Sequence, residues 1–127
     1  MSPCQSSVDV LALDVGGANI KAADGGGWTH AEPFPMWRES SRLVEVLARI
    51  VGSAAPARVV ATMTGEIADC FADRAAGVGF IIRAVVAACE AAGCPVPGLY
   101  HLDGRIVPPA VAIADPLGVA ASNWHAV

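Results

Sequence analysis

Short apolar stretches broken by glycine open the chain. Val8, Val10, Ala12 and Val15 give residues 8–15 the character of a strand, and Gly16-Gly17 follows as a turn. A second strand is expected over residues 19–24, a turn at Gly25-Gly26-Gly27, and a third strand over residues 28–32. Three strands joined by glycine-rich turns make an antiparallel meander. Pro33-Phe34-Pro35-Met36-Trp37 then breaks the sheet, because proline cannot donate to a ladder. Trp37 reads as an aromatic clamp over the sheet edge, with the lining of a cleft as the alternative.

The period then changes from two to nearly four. Leu43, Val46, Leu47, Ile50 and Val51 recur on one helical face, with Ser40 or Ser41 as the cap and Arg42, Glu45 and Arg49 on the other side. Residues 52–56 end that helix, and residues 58–64 read as a buried strand. A helical crossover between strands favours a parallel neighbour, so the sheet is expected to be mixed. A second helix is expected to start at Thr64-Gly65-Glu66. There Glu66, Asp69 and Asp73 would share one face, with Ile67, Cys70 and Phe71 on another, and Asp73 left to solvent or to a pair with the neighbours of Arg74. Beyond Gly77-Val78-Gly79, residues 80–92 form an apolar core helix with Ile82, Val85, Val86 and Cys89 on one side. A hairpin over 96–101 and 105–107 turns at Asp103-Gly104, and helices over 110–114 and 117–127 close the chain, the last without a capping glycine.

Two places carry candidate chemistry. At the first turn Asp14, Gly16, Gly17, Asn19 and Lys21 converge, and Lys21 is the only lysine. Backbone N–H groups at such a turn make an anion-binding concavity, an ammonium group adds charge, and a carboxylate can hold a divalent cation. That is phosphate or diphosphate chemistry, although a plain structural hairpin uses the same residue types. Neither the dinucleotide fingerprint, which needs a third glycine, nor the Walker loop, which needs Gly-Lys-Ser/Thr, is present. The second place is Thr64, Gly65, Glu66 and Asp69, where a strand leaves the sheet and open α/β sheets put their ligands. Against a catalytic duty for Glu66 and Asp69 stands helix-dipole stabilisation, about 0.3–1 kcal/mol for an acid in a first turn.

The chain has 127 residues, a net charge of −4 and eight scattered basic residues, which argues against a nucleic-acid partner and against anionic membranes. No apolar run reaches the roughly 20 residues of a membrane span, and the start lacks the features of a signal peptide, so a cytoplasmic location is expected. Cys4, Cys70, Cys89 and Cys94 lack zinc-site spacing and read as reduced, with Cys70 and Cys89 small and buried. His30, His101 and His125 are dispersed and suggest no metal cluster.

Residues 11–21 resemble the first phosphate loop of the actin-like ATPase and sugar-kinase fold, in which an Asp-x-Gly-Gly-x-Asn-x-Lys hairpin opens the amino-terminal half. Together with Phe34-Pro35-Met36-Trp37, residues 61–71 and Ser122-Asn123-Trp124-His125-Ala126, they resemble the hydantoinase/oxoprolinase-related family linked to tetrahydromethanopterin-dependent one-carbon transfer. That family includes the furan–phenol coupling synthases of methanofuran biosynthesis, and its members run to more than twice this length. The resemblance implies an α/β half-domain of the actin-like, ribonuclease H-like type, with a mixed sheet and flanking helices. Residues 1–127 would be its amino-terminal lobe, interrupted in the last helix, with a carboxy-terminal lobe as partner. It also implies a transferase that displaces diphosphate from an aminomethylfuran with a tyramine-type phenol. Gly16, Gly17, Asn19 and Lys21, with Thr64 and Gly65, would hold the phosphorylated substrate. Asp14 would position Mg2+, and Glu66 or Asp69 would accept the phenolic proton. Asn123 and His125 would face the cleft, or else Trp124 is core and His125 exposed. An ATP-dependent small-molecule kinase of the same fold and a non-catalytic truncated binding module stay open, as does a homo-oligomer; the segment alone is expected to be inactive.

Overall fold

The computed structural model describes residues 8–120. A six-stranded mixed sheet in the order β3-β2-β1-β4-β5-β6 is its frame. β1 (Val8–Val15), β2 (Asn19–Ala23) and β3 (Thr29–Pro33) form the antiparallel meander. β4 (Pro56–Met63) then joins β1 in parallel, β5 (Gly98–Tyr100) runs parallel to β4, and the short β6 (Ile106–Val107) returns antiparallel. β3 ends on Pro33, which an edge strand tolerates because its outer N–H has no ladder partner to lose.

One face of the sheet carries the core. Alternation turns Leu11, Leu13 and Val15 of β1 and Val59, Ala61 and Met63 of β4 inward. They pack with α2 (Leu43–Ala54), whose buried stripe is Leu43, Val46, Leu47, Ile50, Val51 and Ala54. The inward set of β1 is therefore Leu11, Leu13 and Val15, while Val10 and Ala12 lie exposed on the opposite face. Neither Ser40 nor Ser41 caps α2: a four-residue helix α1 (Met36–Glu39) and a 3-10 turn at Ser40–Arg42 lead into it, and Arg42 at the cap position makes no side-chain cap bond. At its other end Ala55 adopts a left-handed φ of 49° and its N–H closes on Val51. Arg49 reaches back to Glu32 at 2.7 Å, tying α2 to β3.

The helix expected at Thr64 does not form there. Gly65–Ile67 is a single 3-10 turn, an irregular stretch follows, and α3 begins only at Arg74, running to Ala91. Asp73 is its N-cap, accepting from the Ala76 N–H at 2.8 Å, so of its two expected fates the carboxylate takes a local partner, a backbone N–H two residues beyond Arg74. Gly77, Val78 and Gly79 lie inside α3, not before it. α3 packs against α2, the Gly65–Ile67 turn, and α4 (Pro109–Ala114). Such a central helix is apolar on more than one side. Cys89 is buried in it, and that burial pushes its thiol up to about 11. Cys70 is exposed in the irregular stretch, where its thiol lies 3.5 Å from the Met36 carbonyl.

After α3 the hairpin turns at Gly104, whose φ is 93°, and the helix expected from residue 117 is a 3-10 turn at Pro116–Gly118 within the described range. His101 there donates from Nε2 to Asp115 at 2.9 Å, because its Nδ1 already accepts the Asp103 N–H at 3.1 Å. Asn123, Trp124 and His125 lie outside the described residues. No helix among the described residues is long and apolar enough to cross a membrane.

Candidate phosphate site at the first hairpin

Asp14 is the last polar residue of β1 before the turn, and the strand period that sends Leu13 and Val15 into the core sends Asp14 to the other face. Its register partners are Lys21 across the antiparallel pair and Thr62 across the parallel pair. Neighbours directly opposite on a sheet stand about 5 Å apart at Cβ, so a carboxylate is flanked by an ammonium and a hydroxyl on one row. Asp14 is half-buried, with one carboxylate oxygen shielded from solvent, whereas Lys21 is exposed.

The turn beyond is held from two sides. The Gly16 N–H donates to the Asn19 carbonyl at 3.0 Å and is thereby committed to the turn itself. A side chain at Gly16 would bring its Cβ within 2.9 Å of that carbonyl, which explains the glycine. Gly17 has open space above it and its carbonyl accepts the Met36 N–H at 2.9 Å. From the other side the Thr64 N–H donates to the Val15 carbonyl at 3.0 Å, extending the parallel ladder by one bond to set Thr64 beside Gly16. Gly65 is buried beneath the loop, where a Cβ would stand 3.1 Å from the Gly16 carbonyl and 3.0 Å from Met36 Cε. Its absence of a side chain lets the two loops stack.

Asp14, Gly16, Gly17, Ala18, Asn19, Lys21 and Thr64 together line one cavity of about 240 Å³. Two neighbours adjoin it. Gly17 and Thr64 also line a depression of about 270 Å³ with Trp37, Ile67, Ala68 and Asp69. Trp37 is 61% exposed, so it clamps no sheet edge and stands at the rim of this depression. Asp14 and Lys21 in turn line a depression of about 430 Å³ on the open sheet face, with Ala12, Ala23, Ala31, Val60 and Thr62. Glu66 stands apart: it is 1% exposed, and it borders a separate depression with Asp69, Asp73 and Arg74. The structure thus brings Asp69 toward the hairpin cavity and turns Glu66 under α3, where the missing side chain of Gly77 makes room for its backbone.

Thr62 and Ala18 also line these cavities without having been singled out in the sequence. The signal for Thr62 was the strand period, which puts it on the face of Asp14 once the parallel register is known, and Ala18 lies in the turn itself. Among the described residues no three His, Cys, Asp or Glu side chains group as a metal cage.

No family profile matches the sequence. Among curated proteins, the (4-{4-[2-(gamma-L-glutamylamino)ethyl]phenoxymethyl}furan-2-yl)methanamine synthase of Methanocaldococcus jannaschii is 33% identical over 120 residues, covering 92% of this chain and 34% of the synthase. The chain spans about a third of the length of that relative. The product in its name joins a phenol oxygen through a methylene to a furan that carries an aminomethyl group.

Proposed function

We propose that this chain is the phosphate-holding lobe of an actin-like transferase which, completed by further polypeptide, couples a furanylmethyl diphosphate to a tyramine-type phenol in methanofuran-type biosynthesis. One observation carries the proposal: Asp14, Gly16, Gly17, Asn19 and Lys21 of the β1–β2 hairpin and Thr64 just after β4 line a single cavity. The meander continued by parallel strands supports the fold assignment. The aryl ether in the relative's name supports the reaction class.

In the coupling, the phenol oxygen forms a bond to the furan methylene carbon while the bond from that carbon to the diphosphate oxygen breaks. Diphosphate leaves with the electron pair, and the phenolic proton passes to a carboxylate. Lys21, the Thr64 hydroxyl and the Asn19 amide would bear on the leaving diphosphate, where negative charge grows. Asp69 or Glu66 would take the proton; Asp69 shares a depression with Gly17 and Thr64, which favours it. An ordinary phenol titrates near ~10, so the base depends on the positive charge around it. Mg2+ is ordinarily held by one or two carboxylates together with substrate phosphates, and the single carboxylate of Asp14 suits that mode. Bound there, it would neutralise charge on the leaving group.

Calorimetric titration of the folded chain with pyrophosphate and Mg2+ tests the site. A hydrogen bond to a charged group is worth about 1.5–3 kcal/mol, so Lys21→Ala is expected to weaken binding roughly tenfold or more with an unchanged melting temperature. Unchanged affinity in both Lys21→Ala and Asp14→Asn would refute the site. Transfer of a phosphoryl group from ATP to a hydroxylated substrate, with no diphosphate released, would assign a kinase instead.

A further inference from the structure

The sheet has two faces, and α2 and α3 cover one of them. On the other, the register sets Thr29, Ala23, Ala12 and Val60 in one row across four strands, and the next row holds Ala31, Lys21, Asp14 and Thr62. Val10 is 37% exposed on this face, Ala12 and Ala31 are exposed as well, and Ala23 is half-buried. A solvated sheet face reads polar at every second position, whereas the first row here carries no charge at all. All-parallel sheets are found almost only with both faces covered, and the parallel trio β1, β4 and β5 gives the middle of this mixed sheet that character. The small side chains leave the depression of about 430 Å³ described above, room for the side chains of an overlying layer.

We infer that this face is a docking surface for an apolar segment of the same polypeptide, from the part that corresponds to the two thirds of the M. jannaschii synthase lying outside the match. The inference rests on the proposed function in one respect, that further polypeptide completes the lobe. The length of the relative favours this occupant: roughly twice as much chain as is matched remains to be packed somewhere. Asp14 and Lys21 line both this depression and the hairpin cavity, so the covering segment would form a wall of the ligand site. Docking and ligand binding would then be coupled.

The test uses the polypeptide as the cell makes it, with Cys4→Ser and Cys70→Ser, and with Ala12→Cys or, independently, Ala31→Cys. Each introduced thiol is treated with a photoactivatable maleimide, and its rate is compared with that of the exposed native Cys70 in the parent. Coverage predicts reaction about a hundredfold slower, which is tenfold for each 1.4 kcal/mol of opening free energy. After labelling under opening conditions and return to the folded state, the photocrosslink is expected to reach a peptide of the same chain outside residues 1–127. Reaction as fast as Cys70 overturns the inference, because the face is then open. A crosslink to residues 1–127 of a second copy, or to a separate protein, also overturns it by naming another occupant. Pyrophosphate titration of the same variants keeps the outcomes apart: loss of binding in the parent refutes the hairpin site and leaves the labelling result standing.

Discussion

Replacing two helical glycines by alanine should move stability in opposite directions. At Gly77 the new Cβ would lie 2.7 Å from both the Cα and the carbonyl oxygen of Glu66, and 2.9 Å from its Cβ. Carbon contacts are comfortable at about 3.5–4.0 Å, so the turn at Gly65–Ile67 and α3 must separate by nearly an ångström. Backbone cannot yield by changing rotamer. Overpacking of this kind costs about 1–3 kcal/mol, offset by up to about 1 kcal/mol from the better helix propensity of alanine, for a net loss near 1–2 kcal/mol. At Gly52 in α2 nothing stands within 4 Å, so only the propensity gain of about 0.5–1 kcal/mol applies. With an unfolding entropy of roughly 2.1 cal/mol/K per residue, 1 kcal/mol is about 4 °C for a chain this long. Thermal unfolding followed by circular dichroism should therefore show Gly77→Ala melting about 4–8 °C lower and Gly52→Ala about 2–4 °C higher. If Gly77→Ala melts as high as Gly52→Ala, the close packing of α3 on the Glu66 backbone is wrong. The same variant should weaken pyrophosphate binding, since the displaced turn carries Gly65 beneath the hairpin.

The ion pair between β3 and α2 should show in the pH dependence of stability. Hydrogen bonds from Arg49 and then His30 hold the Glu32 carboxyl below its usual 4.5, so its stabilisation is complete above that pH and is lost as acid protonates the folded carboxylate. Arg49 is largely solvated, so Glu32→Gln should cost only about 0.2–1 kcal/mol at pH 7, and urea titration should find the two proteins converging as the pH falls through and below the usual carboxylate range. A difference that holds constant across that range would sink the assignment. Alkylation of the native chain by iodoacetamide near pH 8 should modify Cys70 and spare Cys89, which burial both shields and keeps protonated. Equal labelling of the two would show that α3 is not the buried helix described.

Much of this fold was legible because its signals were local. Gly16 ends β1 where the apolar run stops, and the stripe from Leu43 to Val51 names the buried face of α2 without knowledge of what covers it. Several misreadings came from partners distant in sequence. Gly77 and Gly79 read as the stretch before a helix, yet the helix runs through both, and glycine stands at position 77 because the Glu66 backbone fills the space a side chain would take. Glu66 and Asp69 were assigned to one helical face; a 3-10 turn replaced the helix, burying the first and exposing the second. Trp37 and Cys70 were placed in contact and in the core on residue type alone, and both are exposed. As for the candidate site, the hairpin residues were visible as a cluster and Thr64 stood out where a strand leaves the sheet, whereas the row shared with Thr62 required the parallel register.

That parallel register also sets an order of events during folding. The meander can zip up from its own turns, each closing over a few residues. Thr62 and the Leu13 carbonyl, by contrast, are 49 residues apart, and Thr64 reaches Gly16 only when that long loop closes. Closure of distant segments is the slow, entropically costly step in such topologies. A chain emerging from the ribosome would thus possess the glycine turn well before it possessed the cavity. Phosphate compounds would have little to grip on the nascent meander and would stabilise only the chain in which β4 has docked. Pyrophosphate would then slow unfolding without hastening the first collapse on refolding, making the ligand a reporter of the completed sheet.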